Sequence, residues 1–134
     1  MEVILDSNVL FRTLISQGEI VPLLFDEELK LFAPEKLKEE LLNNKEEILA
    51  KSQLSEKEFQ DLVDLLFSKI IFVPLKEYKE YLPKAKMILG KHEKDEDFIA
   101  LCLFKKAKLW TYEKLLFDLG FGISTREIAE ELGR

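Results

Sequence analysis

Five carboxylates stand where solubility alone explains them poorly: Asp6, Glu40, Asp95, Asp97 and Glu113. Asp6 ends the apolar run Val3-Ile4-Leu5, and Glu113 falls just after Leu109-Trp110-Thr111. Glu40 lies three residues after Leu37 and one before Leu41, so on a helix it borders the inner face. Asp95 and Asp97 stand at the entrance to Phe98-Ile-Ala-Leu-Cys-Leu-Phe104, the most apolar helical stretch in the chain. Carboxylates gathered within a few ångströms raise one another's pKa unless a cation compensates. Mg2+ or Mn2+ suits such an all-oxygen set and leaves an open side for a phosphate. The chemistry suggested is metal-assisted phosphodiester hydrolysis.

Each acid also has a plainer reading. Asp6, Asp95 and Asp97 could simply cap the helices they precede, and the glutamates between positions 35 and 47 could form a solvated helix face. Only their joint arrangement favours a site.

Other chemistries lack their residues. His92 is the single histidine and no Gly-x-Ser-x-Gly elbow is present, which argues against a Ser-His-Asp hydrolase. The five glycines are scattered, so neither a P-loop nor a dinucleotide fingerprint can form. One cysteine and one histidine are too few for a zinc site.

The positioning elements follow from hydrophobic periodicity. Residues 2–5 read as a strand ending at Asp6, then a helix carries Leu10, Phe11, Leu14 and Ile15 and stops before Gly18. Residues 19–27 suggest a short helix with Pro22 in its first turn, and residues 29–33 alternate like a strand. Pro34 is expected to launch a third helix through about Ala50, and the capping box Ser55-x-x-Glu58 a fourth, ending near Lys69. Residues 70–73 read as a buried strand, and residues 77–89 as a helix interrupted by Pro83 and closed by Gly90. Residues 108–111 and 121–123 supply short strands, and a second capping box, Ser124-x-x-Glu127, starts the terminal helix. Alternating strands and helices predict an α/β fold with a parallel sheet covered on both faces, whose cleft lies beyond the carboxyl ends of the strands.

A chain of 134 residues is expected to form a single domain, 1–134, burying roughly two thirds of its unfolded surface. The single Cys102 precludes an intrachain disulfide, and no apolar run approaches a membrane span, so a cytoplasmic location is expected. Twenty Lys and Arg against 26 Asp and Glu give a net charge of −6, which by itself disfavours sequence-independent nucleic-acid binding. Lys84, Lys86, Lys91, His92 and Lys94 before Asp95, with Lys105, Lys106 and Lys108 after the same helix, are read either as a basic rim for an RNA backbone or as ordinary solvated residues.

Leu5-Asp6-Ser7-Asn8-Val9-Leu10 resembles the opening motif of the PIN domain family of metal-dependent ribonucleases. Glu40-Leu41, Asp95-Glu-Asp-Phe-Ile-Ala-Leu-Cys-Leu103 and Leu109-Trp-Thr-Tyr-Glu113 follow in that family's order, so the likeness spans nearly the whole chain. It implies a three-layer α/β/α sandwich with a central parallel sheet, and an acidic cleft that binds Mg2+ or Mn2+ and cuts single-stranded or structured RNA. Asp6, Glu40 and Asp95 match the family's three main acidic positions. Asp95 is preferred to Asp97 because Ala100 and Cys102 then fall where the family has small residues, and Asp97 either joins the site or caps the helix.

Asn8 and Thr111 would hold the carboxylates and phosphate in place. Glu113 departs from the family's more common Asp, and Asp118 is the less suitable substitute. The resemblance also implies a homodimer and, for a toxin similar to VapC, an antitoxin protein covering the cleft. Two alternatives stand beside the endoribonuclease. A PIN-like RNA- or protein-binding module without nuclease activity is motivated by Glu113. A haloacid-dehalogenase-like phosphatase would need an acid where Asn8 stands.

Overall fold

The computed structural model describes residues 1–18 and 20–134. Its core is a five-stranded, all-parallel sheet in the order β3-β2-β1-β4-β5, formed by β1 (Glu2–Leu5), β2 (Lys30–Pro34), β3 (Ile70–Val73), β4 (Lys108–Trp110) and β5 (Gly122–Ile123). Between β1 and β2 run α1 (Ser7–Ser16) and α2 (Ile20–Leu24), and between β2 and β3 run α3 (Lys36–Ser52) and α4 (Glu56–Lys69). The long connection from β3 to β4 holds α5 (Leu75–Tyr78), α6 (Leu82–Leu89) and α7 (Glu96–Lys105), with 3-10 turns at Lys79–Tyr81 and Glu93–Asp95. Two short helices complete the chain, α8 (Lys114–Asp118) before β5 and α9 (Thr125–Leu132) after it.

β1 lies at the centre because it can be buried on both faces. Val3, Ile4 and Leu5 are fully buried, and Ile4 pairs with Phe32 on one side and Leu109 on the other. α1 packs on α3 and α6 packs on α7, which also reaches β1, β2 and β4. The expected α/β/α sandwich is therefore the observed architecture. α7 is apolar almost all round because it sits inside: Phe98, Ile99, Ala100, Leu101 and Cys102 are all buried.

Several boundaries differ from expectation, each for a local reason. α1 does stop before Gly18, but Gln17, with φ 44°, rather than the glycine takes the left-handed position that ends it. Pro34 closes β2 instead of opening α3, and Pro83 sits in the first turn of α6, where its missing N–H costs nothing, so it starts a helix rather than interrupting one. The 70–73 strand is expected to be buried, but β3 is the sheet edge and leaves Ile71 48% exposed. α8 has no counterpart in the sequence pattern because five residues are too few for a helical period to show. Glu19, part of the expected second helix, lies outside the described residues. Gly122 is required by close approach, since a Cβ there would meet the Phe117 ring at 2.7 Å.

Candidate metal centre

Parallel strands bring the ends of β1 and β4 to one rim. The ladder continues one residue past β1, where Asp6 N donates to Trp110 O at 3.0 Å. Leu5 and Trp110 are paired, so the next residues, Asp6 and Thr111, emerge side by side. Thr111 Oγ1 donates to Asp6 Oδ2 at 2.7 Å, and the Ser7 backbone N–H donates to Asp6 Oδ1 at 2.8 Å. Asp6 is thus the cap of α1, as its plainer reading has it, and a fixed carboxylate at the rim as well.

Asn8 and Thr111 tie the two strand ends together. Asn8 Nδ2 donates to Thr111 Oγ1 and Asn8 Oδ1 accepts from Tyr112 N, both at 3.4 Å. Glu113 N donates to Thr111 Oγ1 at 3.0 Å, which fixes where the Glu113 side chain starts.

Asp95 arrives from the 3-10 turn before α7 and is 4% exposed. It makes no side-chain capping bond to α7, which removes the capping explanation for its presence. Asp6, Asp95 and Glu113 each offer a carboxylate oxygen within 4.8 Å of the others. Glu113, one methylene longer than Asp, therefore reaches the same point.

Burial and mutual repulsion make this cluster costly. Burial is the main cause that lifts the Asp6 pKa to about 7, with the charges of Asp95 and Glu113 adding to it against the Thr111 hydrogen bond. Asp95 is raised too, by burial first and then by Glu113. Its Oδ2 is buried without any hydrogen-bond partner among the described residues. Among the described residues, Lys94 alone makes an ion pair with the cluster, to Glu113 at 3.9 Å. A buried carboxylate oxygen left bare beside two more carboxylates is the pattern a cation would relieve, and an all-oxygen donor set fits a hard divalent ion.

Glu40 and Asp97 stand apart from that point. Glu40 projects from α3, half-buried; burial raises its pKa while Ser7, Lys36 and Lys94 oppose the rise. Asp97 accepts a hydrogen bond from the buried Tyr78 hydroxyl and lies 3.7 Å from Lys36, so its carboxylate faces these partners and not the cluster. Lys36, which the sequence did not single out, is the first residue of α3, and its nearest signal was its place just beyond the carboxyl end of β2.

Residues 4–133 match the family model described as the PIN domain. The chain belongs to the PIN domain family. PIN domains are typically metal-dependent nucleases, and this one carries an acidic cluster, Asp6, Asp95 and Glu113, that could hold a metal ion. A comparison with curated proteins finds no match. No helix among the described residues is long and apolar enough to cross a membrane.

The lysines divide between the two ends of this PIN domain. Lys94 neighbours the cluster, whereas Lys105 pairs with Glu2 at 3.9 Å and Lys108 Nζ donates to Gly120 O at 2.6 Å, at the starts of β1 and β5. The idea that Lys105, Lys106 and Lys108 help form a rim around the site is corrected on this point. α7 carries them a full helix length away, to the amino ends of the strands.

Proposed function

We propose that this PIN domain is a metal-dependent endoribonuclease that hydrolyses RNA phosphodiester bonds. The observation that carries the proposal is the convergence of Asp6, Asp95 and Glu113 around one point, with a buried Asp95 oxygen that none of the described residues satisfies. These three would hold Mg2+ or Mn2+. When bound, the ion would activate water and stabilise the charge that builds on the phosphodiester.

The chain's own residues supply orientation and proton handling. Thr111 Oγ1 and the Ser7 N–H hold both oxygens of Asp6, so this carboxylate need not reorganise when the site is filled. Asn8, by bridging the ends of β1 and β4, keeps Thr111 and Glu113 in register with Asp6. Glu40, apart from the point where the three carboxylates meet and with a pKa raised by burial, would accept a proton from water at a carboxylate oxygen. The non-cutting alternative draws on Glu113, and a Glu113 oxygen that reaches the cluster weakens it.

The toxin role, an antitoxin partner and a homodimer rest on family membership alone. Co-expression with the neighbouring reading frame followed by size-exclusion chromatography tests all three. For the activity itself, protein stripped with EDTA should cleave single-stranded RNA only after Mn2+ or Mg2+ is restored, and Asp6→Asn should not cleave. Wild type inert with every divalent ion, or cleavage that survives EDTA, would overturn the proposal.

A further inference from the structure

Beside the acidic cluster, and separate from it, lies a polar cavity of about 520 Å3 lined by Lys36, Lys86, Gly90, Glu93, Lys94 and Glu96. Three elements build it: Lys36 opens α3, Lys86 lies in the last turn of α6, and Glu93 to Glu96 form the turn into α7. Gly90, at φ 58°, ends α6 and turns the chain so that Lys86 and Lys94 face one space. None of the three ammonium groups donates a hydrogen bond to the protein among the described residues. Their only ion pairs there are long, Lys36 to Asp97 at 3.7 Å and Lys94 to Glu113 at 3.9 Å. This differs from Lys69 and Lys108, whose ammonium groups donate to backbone carbonyls at 2.8 and 2.6 Å.

We propose that this cavity is a subsite for one phosphodiester of the RNA chain, a few bonds from the phosphate that is cut; the proposal rests on the nuclease reading above. Three ammonium groups with unfilled donors match the acceptor oxygens of a phosphate. Against them the lining sets Glu93 and Glu96, and Asp97 and Glu113 lie 3.7 and 3.9 Å from Lys36 and Lys94. With these carboxylates close by, the site suits the single negative charge of an internal phosphodiester better than the near-double charge of a terminal phosphate. Lys94 joins this space to the cluster through Glu113, so a strand seated here leads directly onto Asp6 and Asp95. An acidic protein thereby gains a local grip on a polyanion without a basic surface overall.

The test uses the Asp6→Asn protein, which should leave RNA uncut, and a 5′-fluorescein-labelled single-stranded oligoribonucleotide read by anisotropy across a salt series. Lys36→Gln with Lys86→Gln should weaken binding roughly tenfold and flatten the slope of log K against log salt by about 0.7 for each ammonium group removed from the phosphate. Lys36→Arg with Lys86→Arg should restore both. Lys105→Gln with Lys106→Gln, at the other end of the strands, should change neither. An unchanged Kd and slope in the double glutamine variant would overturn the subsite, as would an equal loss in the Lys105/Lys106 variant. Unchanged binding, with normal Mn2+-dependent cleavage when the two glutamines are placed in the wild-type background, removes the subsite and leaves the nuclease reading standing. Weakened binding, with a wild-type protein that no divalent ion makes active, sustains the subsite and removes the nuclease reading.

Discussion

The two ends of the sheet treat charge in opposite ways. At the amino ends of the strands, polar groups find partners within the protein: Arg134 pairs with Asp26 at 2.8 Å, Lys69 Nζ donates to Asp26 O, and Glu2 meets Lys105. At the carboxyl ends, three carboxylates face one another and one buried oxygen has no partner. The amino end is organised for stability. The carboxyl end holds an arrangement that a cation from outside would relieve, and without one it burdens the fold.

The largest expected consequence of that difference is a gain in stability when the acidic end is relieved. Asp6 has a folded pKa of about 7 against an ordinary value of 3.8, so folding favours its protonated form. Below the ordinary value both states are protonated and the residue costs nothing. As pH rises from about 4 to 7 the metal-free protein loses stability, and above 7 the loss levels off on the order of 4 kcal/mol. Asp6→Asn should therefore be more stable than wild type in EDTA at pH 8, with the gap closing towards pH 4. Urea unfolding at several pH values reads this directly, and a variant less stable at pH 8 would break the comparison.

A smaller effect is expected where the carboxylate is only steered. Thr111→Val keeps the shape of the side chain and removes the donor to Asp6 Oδ2. It should weaken divalent-ion affinity about 10- to 100-fold, measured by titration calorimetry, and leave the fold unchanged by circular dichroism.

Asp97→Asn sharpens the boundary of the site. Because Asp97 faces Tyr78 and Lys36, the substitution should slow cleavage less than roughly tenfold, while Asp95→Asn should slow it roughly 1,000-fold. Equal losses at both positions would place Asp97 in the metal site. Smallest of all, for cleavage, should be Arg134→Ala at the opposite end, where the guanidinium is half-exposed and partly screened by solvent. It should leave cleavage unchanged and lower the thermal midpoint by a few degrees, through the contacts of Arg134 to Asp26 and Glu28.

Much of this is readable from the chain. β1, the capping boxes at Ser55 and Ser124, and the apolar α7 announce themselves through local patterns, and the strand ends mark where Asp6 and Glu113 emerge. The prolines are harder, because position 34 or 83 can end one element or begin the next, and only packing decides. Asp95 and Asp97 cannot be separated by geometry from sequence: two residues apart at a helix entrance, they turn to different partners because Tyr78, 19 residues before Asp97, brings a hydroxyl to one of them. The lysines depart from expectation for a related reason. A helix flanked by basic residues at both ends in sequence carries them to opposite ends of the sheet in space.

The central claim is that the carboxyl end is incomplete until a cation fills it. Thermal unfolding of EDTA-stripped protein with and without millimolar Mn2+ at pH 7.5 tests it most directly, with Asp6→Asn alongside. The account predicts that Mn2+ raises the wild-type midpoint by several degrees and leaves the variant nearly unmoved. A wild-type midpoint that does not respond to Mn2+, or an equal rise in Asp6→Asn, would contradict it.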